Sequence, residues 1–459
     1  MITFSIIQKS QLEEMERIDA EYFQLKYLRL VENIKKYKNQ TLKSFGVKIV
    51  SGPFGSSLKS EAYLNEGVPF IRINDLDEFF INLNTLTYIS KADNDRLKQS
   101  QLFSYDLVLS KVGNSIGLVS YIPKEFSVCN ISENNIGIKF SKDTSLEYKL
   151  FLLTFLNSKI GLMQILRSIS GNAQPKINIK DVEKVIFPYP QANLLTNIAS
   201  LISSANNIVI DSKNSYQQAE DLLLDELGLK DFQVEEDLSF VVNLSDVKSA
   251  SRIDSDYFQP KYQKLVEQIK KNRAKPLGDL VSMKKGFEPG SEAYQEEGKH
   301  FIRVSSLSNF GIETKDKKYL SDDLYQKLIN DYQPKVNEIL LTKDATPGIA
   351  YVVKEPIEGL ISGGILRLKL KEDVNNEYLA LCINSIVGQM QAERDSGGSI
   401  IAHWRPEQIK ELSIPILPQA IQKKIAGLVI KSHEARKKSK ELLEEAKRKV
   451  EEMIEKGGD

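Results

Sequence analysis

Of 459 residues only two are cysteine, three histidine and one tryptophan, and each scarcity excludes a class of chemistry. Cys129 and Cys382 are too few and too isolated for a zinc site or a disulfide framework, and read as buried free thiols. His300, His403 and His433 are too scattered for a metal cluster or a nucleophilic triad. No glycine-rich loop ends in Gly-Lys-Ser or Gly-Lys-Thr, no nucleophile elbow occurs, and no cofactor loop with an aromatic-bearing motif for a flipped base is present. No apolar run approaches the ~20 residues of a membrane span. The N-terminal segment lacks a basic start and a long apolar core, so neither insertion nor secretion is expected, and a cytoplasmic location is. Net charge is zero, with 62 basic and 62 acidic residues, which removes any global basic signature of nucleic-acid binding. The expectation is a chain that does no chemistry itself.

What is abundant is repetition. Arg17–Lys36 returns as Arg252–Lys271 with fourteen of twenty positions identical at a constant offset of 235. Amphipathic periodicity fixes only apolar positions, yet Asp19/Asp254, Gln24/Gln259 and Lys26/Lys261 recur too. Glu61–Ile73 returns as Glu292–Val304 with eight of thirteen identical, Asp106–Lys111 as Glu338–Lys343, and Asn157, Ser158, Gly161, Met163 and Gln164 as Asn384, Ser385, Gly388, Met390 and Gln391. The loop at 170–178 corresponds to Ser396–Arg405, where the wording has diverged. Framework segments match while the loops between them drift, as expected of two copies of one scaffold that read different targets.

Each copy mixes helical and strand patterns, which is an α+β reading. In copy one, spacing of Ile18, Tyr22, Leu25, Leu30 and Ile34 predicts a helix through about residue 36. Strands are expected at 68–73, 106–110, 118–122 and 136–140, and one helix at about 146–167. A long helix is predicted over about 192–227, with Leu194, Ile198, Leu201, Ala205, Ile208, Ser212, Ser215, Ala219 and Leu222 at alternating steps of four and three. Gly228 closes it. Ile421, Ile425, Leu428, Ser432, Ala435, Ser439, Leu442 and Ala446 repeat that seam, with Lys449 out of register. Residues 191–227 hold one lysine against five acidic residues, and 418–455 hold ten basic against seven glutamates, so the two helices favour each other over self-pairing. Exchange of equivalent contacts by two copies makes the pair antiparallel, an intramolecular coiled coil expected to act as a spacer of roughly 54 Å.

The run Ser51–Tyr63 with Phe70–Ile73, and Ser170–Asn178 followed by Pro188, Pro190 and a long helix, resemble the specificity subunit of type I restriction-modification systems. The resemblance covers essentially the whole chain: target recognition domain at 1–190, central spacer helix at 191–228, second recognition domain at 229–417, and C-terminal spacer helix at 418–459. It implies a non-catalytic subunit that reads a bipartite, asymmetric site in double-stranded DNA, one half-site per domain. Its implied partners are adenine methyltransferase subunits, docked on the paired helices, and a restriction and translocase subunit. S-adenosylmethionine, ATP and Mg would belong to those partners. Copy two departs from the wording of 170–178, which separates its loop contacts from those of copy one. The alternative left open is a duplicated scaffold for protein assembly that binds no DNA.

DNA reading needs side chains that reach phosphates and base edges from loops on a rigid frame. In copy one these are Ser56, Ser57, Lys59, Arg72, Lys111, Asn114, Asn172, Gln174, Lys176 and Asn178, and in copy two Lys284, Lys285, Arg303, Lys343, Thr346, Ser399, His403 and Arg405. Asn and Gln suit adenine, Lys and Arg suit guanine or phosphate. A bland reading stands beside each: a framework salt bridge for Arg72 and Arg303, and a turn that merely aims the long helix for 170–178. Tyr22, Phe23, Tyr257 and Phe258 are expected in the core or at a subunit interface rather than as stacking platforms.

Overall fold

The computed structural model describes residues 5–10, 12, 17–53, 58–170, 175–232, 237–313, 318–396 and 402–456. The chain divides into two compact units, one of residues 1–207 and 438–459, the other of residues 208–437. Each unit contains part of both long helices, Ala192–Leu227 and Gln419–Lys456.

In the first unit a four-stranded antiparallel sheet takes the order Lys48–Ser51, Asn135–Lys139, Leu107–Ser110, Val119–Tyr121. A three-stranded sheet sets Val68–Ile71 between Thr87–Ile89 and the parallel strand Asn130–Ile131. Asn39–Thr41 pairs with Ile186–Pro188 and closes the domain where the first long helix leaves it. The second unit repeats this plan. Its four-stranded order is Val281–Lys285, Ile365–Leu370, Ile339–Thr342, Ala350–Val352; its three-stranded order is Lys318–Leu320, Lys299–Ile302, Gly359–Ile361; and Lys275–Pro276 pairs with Ser413–Ile414. It adds a small hairpin, Leu307–Ser308 with Gly311–Ile312.

The residues kept between the copies have structural work that explains their identity. Asn157 presents its carboxamide to the edge strand, accepting from Val119 N at 3.4 Å and donating to Val119 O at 2.8 Å. Asn384 does the same to Ala350, at 2.9 and 2.7 Å. The amide thus stands in for one residue of a further strand and satisfies an exposed edge. Gln164 bonds Ile186 N and O at 2.9 Å each, and Gln391 bonds Ser413 N and O at 3.0 and 3.1 Å. Gly161 and Gly388 sit where a Cβ would fall 2.0 Å from Phe155 O and 2.3 Å from Ile383 O.

That close approach accompanies a break absent from the sequence expectation. In place of one helix over about 146–167 there are two, Leu146–Asn157 and Lys159–Arg167, with Ser158 extended between them and its hydroxyl accepting from Gly161 N. The helix expected through residue 36 begins only at Leu25. Before it, Asp19 folds a turn by accepting from Tyr22 N at 3.0 Å while gripping Arg17, whose guanidinium bonds Ser168 O and Ile169 O. Arg252 and Asp254 repeat the arrangement against Tyr257 N, Arg394 O and Asp395 O. Tyr22 lies between Arg17 and Arg167, and Tyr257 between Arg252 and Arg394. The side-chain turn outcompetes helix extension, as short Asp side chains do.

The long helices run antiparallel within each unit. In the first, Ile198 and Ile202 share a core with Ala446, Val450 and Ile454, and Ser439 Oγ donates to Ala205 O at 3.0 Å. In the second, Ala219, Leu223 and Leu227 share a core with Ile425 and Val429, and Ser212 Oγ donates to Ser432 O at 2.9 Å. The buried seam departs from the expected one at both ends: Ile202 and Leu223 are buried where Leu201 and Leu222 are only partly covered. There each helix faces a globular core as well as its partner helix, which widens the apolar stripe beyond a coiled-coil seam. Both cysteines are buried, and burial pushes the Cys382 thiol up to about 12.

Candidate nucleic-acid interface

One arrangement recurs at the end of the third strand of each four-stranded sheet. Leu107–Ser110 delivers Lys111, whose carbonyl accepts from Ile177 N at 3.1 Å. Ile339–Thr342 delivers Lys343, whose carbonyl accepts from Trp404 N at 2.8 Å. Val112 bridges to Lys176 in the first copy and Asp344 to His403 in the second. The next residues, Asn178 and Arg405, open the short helices Ile179–Glu183 and Pro406–Lys410, with backbone N–H groups donating to Asp181 Oδ2 and Gln408 Oε1. The divergent loops therefore superpose residue for residue: Lys176 on His403, Ile177 on Trp404, Asn178 on Arg405.

The register follows from the residue between. Ile177 and Trp404 are fully buried, with relative exposures of 0% and 1%, so each plugs the core while its neighbours stay in water. Lys176, Asn178, His403 and Arg405 are all exposed. Alternation of this kind aims the flanking side chains away from the frame.

The two strand-end lysines are held differently. Lys111 Nζ donates to Ser51 Oγ and Glu133 O, each at 3.3 Å. Lys343 Nζ meets Asp344 Oδ2 at 2.5 Å, and His403 Nδ1 meets Asp344 Oδ1 at 2.8 Å. Burial opposes the charge of Asp344, but hydrogen bonds from Lys343 and His403 outweigh it and hold its carboxyl below the usual range. Lys343 and Asp344 are largely covered, whereas the His403 side chain is 61% exposed.

The loops beside these lysines also align. Asn114 lies in the 3-10 turn Gly113–Ser115, its side chain outside the described residues, and Thr346 is exposed at the matching turn. Where the first copy places Gly113 at φ 73°, the second places Ala345 at φ 61°, a conformation costly for any side chain.

Other expected positions fall elsewhere. Arg72 Nε lies 3.3 Å from the fully buried carboxylate of Asp75, which also accepts from Thr85 Oγ1, so this guanidinium sits in a framework pair. The second copy has Ser306 at the place of Asp75, so Arg303 lacks that particular carboxylate. Lys284 pairs with Asp331 at 2.7 Å and Lys285 with Glu288 at 3.1 Å. Lys284 faces Arg367 across the sheet, and Arg367 in turn faces Leu340, three residues short of Lys343. Lys59 is exposed ahead of the 3-10 turn Ser60–Ala62. Ser56, Ser57, Asn172, Gln174 and Ser399 lie outside the described residues.

Sequence reading missed Asp344. Its signal was present, since the residue after the repeated strand-end lysine changes from valine to aspartate, but nothing in the sequence connects that position to His403 across 59 residues. Tyr22 and Phe23 are buried, and Tyr257 and Phe258 half-buried. His433 is enclosed with Phe310 and Tyr351, and burial pushes its imidazole down to about 4. Among the described residues no three metal-ligating side chains converge, and no single helix is long and apolar enough to cross a membrane.

The family model for the type I restriction modification DNA specificity domain matches this chain twice, over residues 34–220 and 270–444. The chain belongs to that family. Its two matched stretches are the two copies of the repeat, so the specificity-domain fold is present twice. The EcoBI specificity subunit of Escherichia coli is 24% identical over 226 residues, covering 48% of this chain and 45% of that protein, so the match spans about half the length of this curated relative. Among solved structures, the type I S subunit from M. genitalium is 14% identical with a TM-score of 0.39, covering 92% of this chain and 95% of that one. The HsdS subunit from Thermoanaerobacter tengcongensis is 12% identical with a TM-score of 0.30, covering 92% and 97%.

Proposed function

We propose that this member of the specificity-domain family reads a split, asymmetric site in duplex DNA, one half per copy, and does no chemistry on it. The observation that carries the reading is the recurrent loop pair: an identical frame presents a strand-end lysine beside an exposed, divergent segment in each copy. Lys111 suits a phosphate, which positions a protein on DNA, whereas Lys343 is largely covered against Asp344 and braces its loop, and the variable exposed neighbours in both copies suit base edges, which specify the sequence. Methylation and cleavage would then lie with adenine methyltransferase subunits and a restriction subunit, together with S-adenosylmethionine, ATP and Mg.

The test is to co-express the chain with its methyltransferase partner and map methylated adenines. A split motif is expected, and modification without any recurrent motif would sink the reading. Exchanging residues 37–190 for those of another family member should change one half of that motif and leave the other as it was.

A further inference from the structure

The second copy holds a device the first lacks. Asp344 has Lys343 on one carboxylate oxygen and His403 on the other. An ionised carboxylate can only accept, so the hydrogen between Asp344 Oδ1 and His403 Nδ1 must sit on the nitrogen. In a neutral imidazole that leaves Nε2 without a hydrogen, an acceptor alone. The carboxylate charge is already met by Lys343, so holding the ring requires no second positive charge.

The ring is also aimed. Its backbone is clamped on both sides, by Trp404 N donating to Lys343 O at 2.8 Å and by Ala345 N donating to Ala402 O at 2.9 Å. Trp404 anchors the segment in the core, while the imidazole stands in solvent. Arg405, the nearest other cation along the segment, turns its Nε to Gln408 Oε1 at 3.2 Å. At the equivalent place the first copy has Lys176, beside Val112 instead of an aspartate. An ammonium can only donate. One position on one frame therefore presents an acceptor in one copy and a donor in the other.

We infer that His403, positioned by Asp344, accepts through Nε2 from a base bearing a major-groove amino group, adenine or cytosine, and that Lys176 donates to guanine in the other half-site. Adenine offers its N6 amino group and cytosine its N4 amino group, whereas guanine offers the acceptors N7 and O6. The inference rests on the DNA-reading proposal and adds the polarity of one contact in each half.

The experiment uses the complete complex with its methyltransferase partner and duplexes varied at each base pair of the mapped site. In the unaltered complex one position of the second half-site should favour adenine or cytosine. His403→Lys should move that preference to guanine by about tenfold or more, the range of one good base contact, leaving every other position unchanged. Asp344→Val should flatten discrimination at the same position without selecting a new base, because a freed ring takes either tautomer. Lys176→His with Val112→Asp should produce the reverse change in the first half-site, which keeps the test alive should a second-copy variant fail to fold. If the unaltered complex reads a split site and His403→Lys alters no position, the inference is overturned and the functional reading survives. If the unaltered complex shows no sequence preference, both fall.

Discussion

Under their four-stranded sheets the two copies solve one problem in opposite ways. In the first, Gly137 has no side chain because Leu102 Cδ2 lies 2.6 Å from where a Cβ would sit, and Val50, Leu102, Val108 and Cys129 fill the space. In the second, the matching position is Arg367, which grips Glu338 with two bonds of 2.8 Å and donates to Asp331 O at 2.9 Å. Both copies keep a carboxylate at the start of the strand, closing its own turn: Phe103 N donates to Asp106 and Lys335 N to Glu338. Asp106 has no guanidinium, and burial raises its carboxyl; for Glu338 burial opposes the charge too, but the Arg367 hydrogen bonds win and lower it. The frame specifies backbone hydrogen bonds and sheet register; what fills the space beneath is free to be an apolar plug or an ion pair.

The sharpest way to break that comparison is Arg367→Ala. It strands a mostly buried carboxylate and should cost about 3–5 kcal/mol, read by denaturant unfolding of the full chain. Replacing both partners, Arg367→Met with Glu338→Leu, should recover most of that loss, because the first copy manages without the pair; a double variant as unstable as the single one would refute the equivalence. Next in size, Asn157→Ala and Asn384→Ala should each cost about 1–3 kcal/mol, by uncovering the edge-strand N–H and C=O they serve, and the two costs should agree closely. Unequal costs would mean that the amides are not doing the same work.

Smaller still is a difference in acid response. A lowered folded pKa gives Glu338 a stabilising share that is present above its unfolded value near 4.5 and is lost as pH falls through the folded one. A raised folded pKa gives Asp106 the opposite sign: its share is present below its unfolded value near 3.9 and is lost as pH rises through the folded one. Amide exchange followed from pH 6 to 3 should therefore show Glu338→Gln blunting the acid-side loss of protection in Ile339–Thr342, with Leu107–Ser110 untouched. The smallest effect expected is a gain. Ala345→Gly relieves the left-handed residue that the first copy assigns to Gly113 and should stabilise by up to about 1 kcal/mol in the same unfolding measurement.

Much of this was legible beforehand because duplication supplies an internal control: a residue kept in both copies is under a shared constraint. Asn157, Gly161 and Gln164 stood out in that way, and the bounds of the first long helix are those expected from its heptads, Ala192–Leu227. The control fails where the copies agree on a feature that pattern reading misnames. Ser158 and Ser385 both interrupt a helix whose apolar spacing runs on unbroken, and Asp19 and Asp254 both fold a turn inside a helical pattern. Periodicity registers which faces are apolar and says nothing of a side chain that captures a backbone N–H.

By itself, then, the sequence determined that the chain is one unit written twice, where each unit's framework lies, that two long helices with matching seams belong together, and which loops are free to differ. These follow from local patterning and from comparison of the chain with itself. Only the tertiary structure decided that Arg72 is tied to Asp75, that Gly137 and Arg367 are alternative fillings of one space, and that Asp344 meets His403 Nδ1 across 59 residues of chain. Such facts depend on pairs far apart in the chain, and no periodicity encodes which distant partner a polar side chain will meet.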